Sequence, residues 1–114
     1  MMKGYAGKIV RIDLTSGKIS TEELKEEVAR NYFGGKGLGV YLLYHSLRPK
    51  TDPYDPGNIL IFTQGPLTGT SFPTASRGAV ITKSPLTGTF LDSYAGGLFG
   101  PCIKYAGYDA LMIT

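Results

Sequence analysis

The chain has 114 residues, enough for one modest domain or part of one, and its 12 Lys plus Arg against 9 Asp plus Glu leave a net charge of +3. That small basic excess, with no basic run, does not point to nucleic acid. No segment is apolar for long enough to span a bilayer, and the opening Met1-Met2-Lys3-Gly4-Tyr5 lacks the apolar run of a signal peptide. Cys102 is the only cysteine and His45 the only histidine. An intrachain disulfide is thereby excluded, and so is a four-cysteine metal site supplied by this chain alone. The expectation is a soluble cytoplasmic protein.

Lys8 to Leu14 alternates, with Val10, Ile12 and Leu14 on one side and Arg11 and Asp13 on the other, which predicts a half-buried strand. Thr15-Ser16-Gly17-Lys18 is a turn, and Ile19 starts a return strand, so the pair is a hairpin. Ser20-Thr21-Glu22-Glu23 has the spelling of a capping box, predicting a helix that Gly34-Gly35 stops. Gly34-Gly35-Lys36-Gly37-Leu38-Gly39 resembles a phosphate loop but fails both common patterns. No Ser or Thr follows its lysine, and it follows a helix rather than a strand. A helix–helix corner with a solvated Lys36 is the better reading. Leu38 to Leu47 is a second helix, apolar around most of its circumference and so largely buried. His45, near its end, has no catalytic company and reads as structural. Arg48-Pro49 ends that helix.

Two strands then each feed the same spelling. Asn58 to Thr63 leads into Pro66-Leu67-Thr68-Gly69-Thr70, and Gly78 to Thr82 leads into Pro85-Leu86-Thr87-Gly88-Thr89. Between the copies lies Arg77, a fixed fork of donors. Thr89 to Tyr94 is a third strand, with Phe90, Asp92 and Tyr94 on one face. Gly96-Gly97 opens a short helix, Leu98 to Tyr105, whose free first-turn amides would make an anion seat. Asp109 to Thr114 is an apolar strand at the end of the chain, and an apolar strand ending bare requires a partner. The duplicated loop, Arg77 and the glycines together predict a backbone surface that lies against a polar anion. The alternative is a pair of ordinary Gly/Pro turns.

The ordered set Gly34-Gly35-Lys36-Gly37-Leu38, Gly65-Pro66-Leu67-Thr68-Gly69-Thr70, Arg77-Gly78, Thr82-Lys83-Ser84-Pro85-Leu86-Thr87-Gly88, and Gly96-Gly97 leading to Lys104-Tyr105-Ala106-Gly107-Tyr108-Asp109 resembles the amino-terminal part of the tungsten-containing aldehyde:ferredoxin oxidoreductases. The likeness covers almost the whole chain. It implies an α+β fold of mixed β-sheets with a few short helices, residues 1–114 forming a single or partial cofactor-binding domain. It implies an oxidoreductase that converts aldehydes to carboxylic acids and passes electrons to ferredoxin. Tungsten, or molybdenum, would be held by the dithiolenes of two pterins (a tungstopterin or molybdopterin), with magnesium between the phosphates. The iron–sulfur [4Fe–4S] ligands and most of the substrate cavity would lie in further domains. On this resemblance Arg77 matches the arginine near pterin and phosphate, and Ser93, Tyr94, Ala95, Gly96 and Gly97 match the loop beneath the cofactor. The backbone carbonyl of Tyr94 would reach magnesium, although an asparagine is familiar at that position. No catalytic residue is assigned. The partners implied are the remaining domains and ferredoxin, with no nucleic acid and no membrane. The competing reading is a standalone, non-catalytic module for a pterin or phosphorylated ligand, oligomeric so as to cover an open sheet edge.

Overall fold

The computed structural model describes residues 2–114. Nine elements follow in order: β1 (Lys8–Ile12), β2 (Ile19–Glu23), α1 (Glu26–Tyr32), α2 (Gly35–Ser46), β3 (Leu60–Thr63), β4 (Gly78–Lys83), β5 (Phe90–Ala95), α3 (Phe99–Tyr105) and β6 (Ala110–Ile113). The strands form one mixed sheet in the order β2-β1-β6-β3-β4-β5. The fold class is the α+β arrangement expected.

The hairpin forms as its alternation requires. Arg11 stands opposite Ser20 and Ile9 opposite Glu22, and the Arg11 guanidinium grips the Glu22 carboxylate with two bonds, 2.9 and 3.1 Å long. This pairing overturns the capping-box reading. Ser20 to Glu23 are ladder residues of β2, and α1 begins only at Glu26, with Lys25 at its cap and no side-chain cap bond. A ladder of five residue pairs with β1 outweighs one reciprocal cap. The helix also ends earlier than Gly34-Gly35: Phe33 takes the left-handed turn at φ 58°, and Gly35 already belongs to α2.

Residues paired across a sheet share a face. One face carries Ile9, Ala110, Met112, Ile61, Ala79 and Ile81, and α1 and α2 cover it through Ala29, Leu38, Leu42 and Leu43. Full burial of a side chain such as Leu38, Ile61 or Ile81 stabilises by about 1.5–3 kcal/mol. Gly39 brings α2 onto the sheet, since a Cβ there would overlap the Ile81 side chain. The Thr63 hydroxyl fastens the start of α2 by donating to the Gly35 carbonyl at 2.6 Å. Only this stripe of α2 is buried. Tyr44 is 80 % exposed, so the expectation of burial around most of the helix does not hold.

The opposite face presents Val10, Ile12, Leu111, Ile113, Leu60, Phe62, Val80 and Leu91. Phe99 of α3 lies edge-on to Phe62, with ring centroids 5.3 Å apart. No other helix of the described residues roofs this face.

The last strand has its partners within the chain. β6 lies between β1, to which it is parallel, and β3. Thr114 extends the ladder, its amide donating to Ile12 O at 3.0 Å and its carbonyl accepting from Leu14 N at 2.8 Å. The argument that this strand ends bare is therefore overturned, and an oligomer is not needed to cover it. Its parallel pairing closes across almost the full sequence, which local pattern does not disclose. The edges are β2 and β5.

Candidate functional site

The two Pro-Leu-Thr-Gly-Thr loops share a spelling but not a place. β3 and β4 are antiparallel, with Thr63 opposite Ala79, so a loop leaving the end of β3 and a loop leaving the end of β4 lie at opposite ends of the sheet. Only the first adjoins Arg77. The single surface expected from both copies does not exist. The shared spelling instead gives the same turn twice, with Gly69 at φ 80° and Gly88 at φ 71°.

At the first end, four segments meet. The first loop is tied down by Thr68, which is 6 % exposed. Its hydroxyl oxygen accepts from Gly65 N at 3.2 Å and donates to Arg77 O at 3.4 Å. Gly69 N donates to Ala75 O at 3.1 Å. These bonds hold the main chain of residues 75–77 and leave the Arg77 side chain exposed, with no ion pair and no side-chain hydrogen bond among the described residues. Asp92 is no partner of Arg77, since it is engaged by Tyr94 and Lys36. Between the first loop and Arg77 opens a shallow cavity of about 320 Å³, bordered by Pro66, Leu67, Phe72 and Thr74. Thr74 sits in the left-handed region at φ 60°, a strained conformation for a β-branched residue.

The β4–β5 ladder brings Arg77 to the glycine turn. Gly78 pairs with Ala95, so Arg77 and Gly96 are the next residues out at that end. Gly96 and Gly97 are exposed, and a Cβ on either would meet nothing within 4 Å. Gly97 has φ 82°, which explains glycine there. The predicted anion seat in the first turn of the next helix is not built. α3 starts at Phe99, has seven residues, and buries Gly100 and Pro101. The open backbone is the turn before it.

Ser93 to Gly97 are thus contiguous with Arg77, but their side chains divide. Ser93 pairs with Val80 and Ala95 with Gly78 on the unroofed face, while Tyr94 shares the helix face with Ala79. The Tyr94 hydroxyl donates to Asp92 Oδ2 at 2.7 Å, and Lys36 Nζ lies 3.4 Å from the same oxygen. The Tyr94 hydroxyl bond, and secondarily Lys36, hold the Asp92 carboxyl below its usual pKa; the same carboxylate raises that of the Tyr94 phenol. Lys36 is a solvated corner lysine, as the sequence suggests, and the structure adds Asp92 as its carboxylate partner. His45 is exposed, its Nδ1 2.8 Å from Tyr41 O, and takes no part.

Sequence reasoning missed Gln64. It is 1 % exposed and wedged between Gly78 and Gly100, where a Cβ would come within 2.7 and 2.6 Å of its Oε1. That oxygen is buried with no hydrogen-bond partner. It sets the spacing of the strand and helix that flank the glycine turn. Gln64 stands beside Gly65 in the sequence with no pattern to single it out. Among the described residues no three His, Cys, Asp or Glu side chains converge to hold a metal. An exposed guanidinium beside bare backbone suits an organic phosphate. The site therefore fits a phosphorylated cofactor better than a naked ion.

The model of the aldehyde ferredoxin oxidoreductase N-terminal domain matches residues 9–114. The chain belongs to this family. It is 52 % identical over 112 residues to the tungsten-containing aldehyde ferredoxin oxidoreductase of Pyrococcus abyssi, and 50 % identical to that of Pyrococcus horikoshii. Each match covers 98 % of this chain and 18 % of the relative. The aliphatic sulfonate oxidoreductase WOR-like subunit of Pyrococcus furiosus is 36 % identical over 115 residues. Among solved structures, the active-site complex BamBC of benzoyl coenzyme A reductase, with 1,5-dienoyl-CoA, superposes with a TM-score of 0.94 at 34 % identity, over 99 % of this chain and 17 % of that one. The chain thus spans about a fifth of the length of the proteins it matches. Membership supports a cofactor-binding role for this domain.

Proposed function

We propose that this chain forms the floor beneath a bis-pterin tungsten or molybdenum cofactor in an oxidoreductase that turns aldehydes into carboxylic acids and delivers the electrons to ferredoxin. The observation that carries the reading is Arg77, exposed and unengaged beside the open Gly96–Gly97 turn. Arg77 would hold a phosphate of the cofactor, its planar guanidinium being suited to paired donation. Ser93, Ala95, Gly96 and Gly97 present backbone to it, and the glycines admit close approach. The Tyr94 carbonyl would serve the magnesium between the phosphates, its phenol being bonded to Asp92. The two-electron redox chemistry comes from the bound metal–dithiolene group. Iron–sulfur ligands and the aldehyde pocket come from polypeptide outside these residues. The apolar sheet face of Leu60, Phe62, Leu91, Leu111 and Ile113 is where such polypeptide packs. A reducing cytoplasm suits the single exposed thiol of Cys102.

The test is pterin content beside apo-protein melting in the full-length protein that carries this chain. Arg77→Ala loses cofactor affinity by about 1–3 kcal/mol, a charge-assisted contact, and Arg77→Lys loses less. Both leave the apo melting temperature unchanged, because the side chain anchors nothing. Normal pterin content with a lowered apo melting temperature would make Arg77 structural and remove it from the site.

A further inference from the structure

A second site lies at the other end of the β4–β5 ladder. Gly78 to Lys83 is five residue steps, about 17 Å of strand at ~3.3 Å each. There, the last turns of α2 and the second Pro-Leu-Thr-Gly-Thr loop enclose an open groove of about 590 Å³, within the range of small-molecule sites. Its floor is apolar. Val40, Leu43, Tyr44 and Leu47 recur at the three- and four-residue spacing of one helix stripe, and Phe90 of β5 faces them.

Its rim is cationic. Arg48, Lys50 and Lys83 all border the groove, and none forms an ion pair among the described residues. The nearest carboxylates in sequence are turned to their own loop, Asp52 accepting from Tyr54 N at 2.8 Å and Asp55 from Gly57 N at 2.7 Å. The turn that carries the cations is braced. The Thr51 hydroxyl and amide both donate to Arg48 O, at 2.7 and 3.2 Å, and Lys83 Nζ donates to Thr51 O. Lys50 is held at φ 63°, in the left-handed region that a lysine seldom adopts. Strain of this kind persists where surrounding bonds over-determine it, and it gathers at ligand sites. The carbonyl end of α2 at Ser46 disfavours an anion, against which stand the three cations that border the groove.

We propose that this groove binds a small amphipathic carboxylate, its chain lying on the α2 stripe and Phe90 and its head among Arg48, Lys50 and Lys83. An apolar floor alone would take any hydrophobe. The unpaired cations select an anion, and no acidic group in the groove competes for them. The site is independent of the cofactor seat, so loss of one leaves the other.

Octanoate is the probe, titrated by calorimetry into the full-length protein. It binds with a dissociation constant of about 1 mM or tighter. Butyrate binds more weakly, by about fourfold for each methylene lost from full burial. Octylamine, with the opposite head charge, does not bind there. Arg48→Gln with Lys50→Gln weakens octanoate by about tenfold or more, the loss of a charge-assisted contact. Tyr44→Ser weakens it severalfold. All three replaced side chains are exposed, so the variants keep the fold. Pterin content stays at the wild-type level in each. No octanoate binding would overturn the proposal, as would octylamine binding equal to octanoate, or equal affinity in wild type and both variants, which would place any observed binding elsewhere.

Discussion

Lys104 and Asp109 form a buried latch whose strength can be measured. Lys104 Nζ lies 2.7 Å from Asp109 Oδ1, with side-chain exposures of 9 % and 0 %. Asp109 also accepts from Ala6 N at 3.0 Å and Gly7 N at 2.7 Å, and Lys104 donates to Gly4 O at 2.6 Å. The pair therefore pins the amino-terminal segment to the junction of α3 and β6. Removing one partner of such a pair leaves a buried charge without its counterpart, at about 3–5 kcal/mol. Lys104→Met strands a carboxylate that has no path to water, and Asp109→Ala strands an ammonium and frees two amides. Each should lower stability by that amount in urea denaturation of the 114-residue chain followed by circular dichroism. The corresponding fall in melting temperature is at least about 12 °C, at ~4 °C for each kcal/mol. Lys104→Met with Asp109→Leu should cost less than either single change, because no unpaired charge stays buried. Hydrogen exchange at Ala6 and Gly7 should accelerate in both Asp109 variants. Single-variant losses under about 1 kcal/mol, or a double variant equal to the sum of the singles, would show that the pair is solvated and refute the argument.

Gly96→Val should leave the apo-protein's melting unchanged, since a side chain there meets open space, while pterin content falls; normal occupancy would displace the seat from this turn. Gly39→Val should destabilise by about 1–3 kcal/mol or more through overpacking against Ile81, and a melt equal to wild type would mean that α2 rides higher on the sheet. Tyr94→Phe should raise the Asp92 pKa towards its ordinary value, because the hydroxyl bond is the largest cause of its depression. Asp92 is held low in the folded chain, so its contribution to stability is present above pH about 3.8 and is lost as pH falls through the folded value. In the variant that contribution should be smaller and its loss complete at a higher pH, and a carbon-13 titration showing no change at Asp92 would contradict it.

Much of the local architecture was legible from residue spacing. The apolar run ending at Thr63 and the Phe90/Asp92/Tyr94 face appear where periodicity puts them, because side-chain direction along a strand is a local property. The alternation from Lys8 gives β1 only as far as Ile12, and Leu14 is 71 % exposed. The errors fell where a remote partner decided. Ser20 to Glu23 can cap a helix or line a strand, and β1 chose the strand. The terminal strand looked unpaired because its neighbours, β1 and β3, lie far back in sequence. The twin loops looked like one surface, yet antiparallel pairing of β3 and β4 sends them to opposite ends of the sheet. By itself, the sequence determined most of the elements and the ordered family signature, and the resemblance that signature carries nominated Arg77 with Ser93 to Gly97. Only the tertiary structure decided that Arg77 meets the Gly96–Gly97 turn, that Asp92 is already taken, and that Gln64 spaces the strand and helix on either side. Those relations arise from ladder register and close packing between distant segments, and no local pattern of residues encodes them.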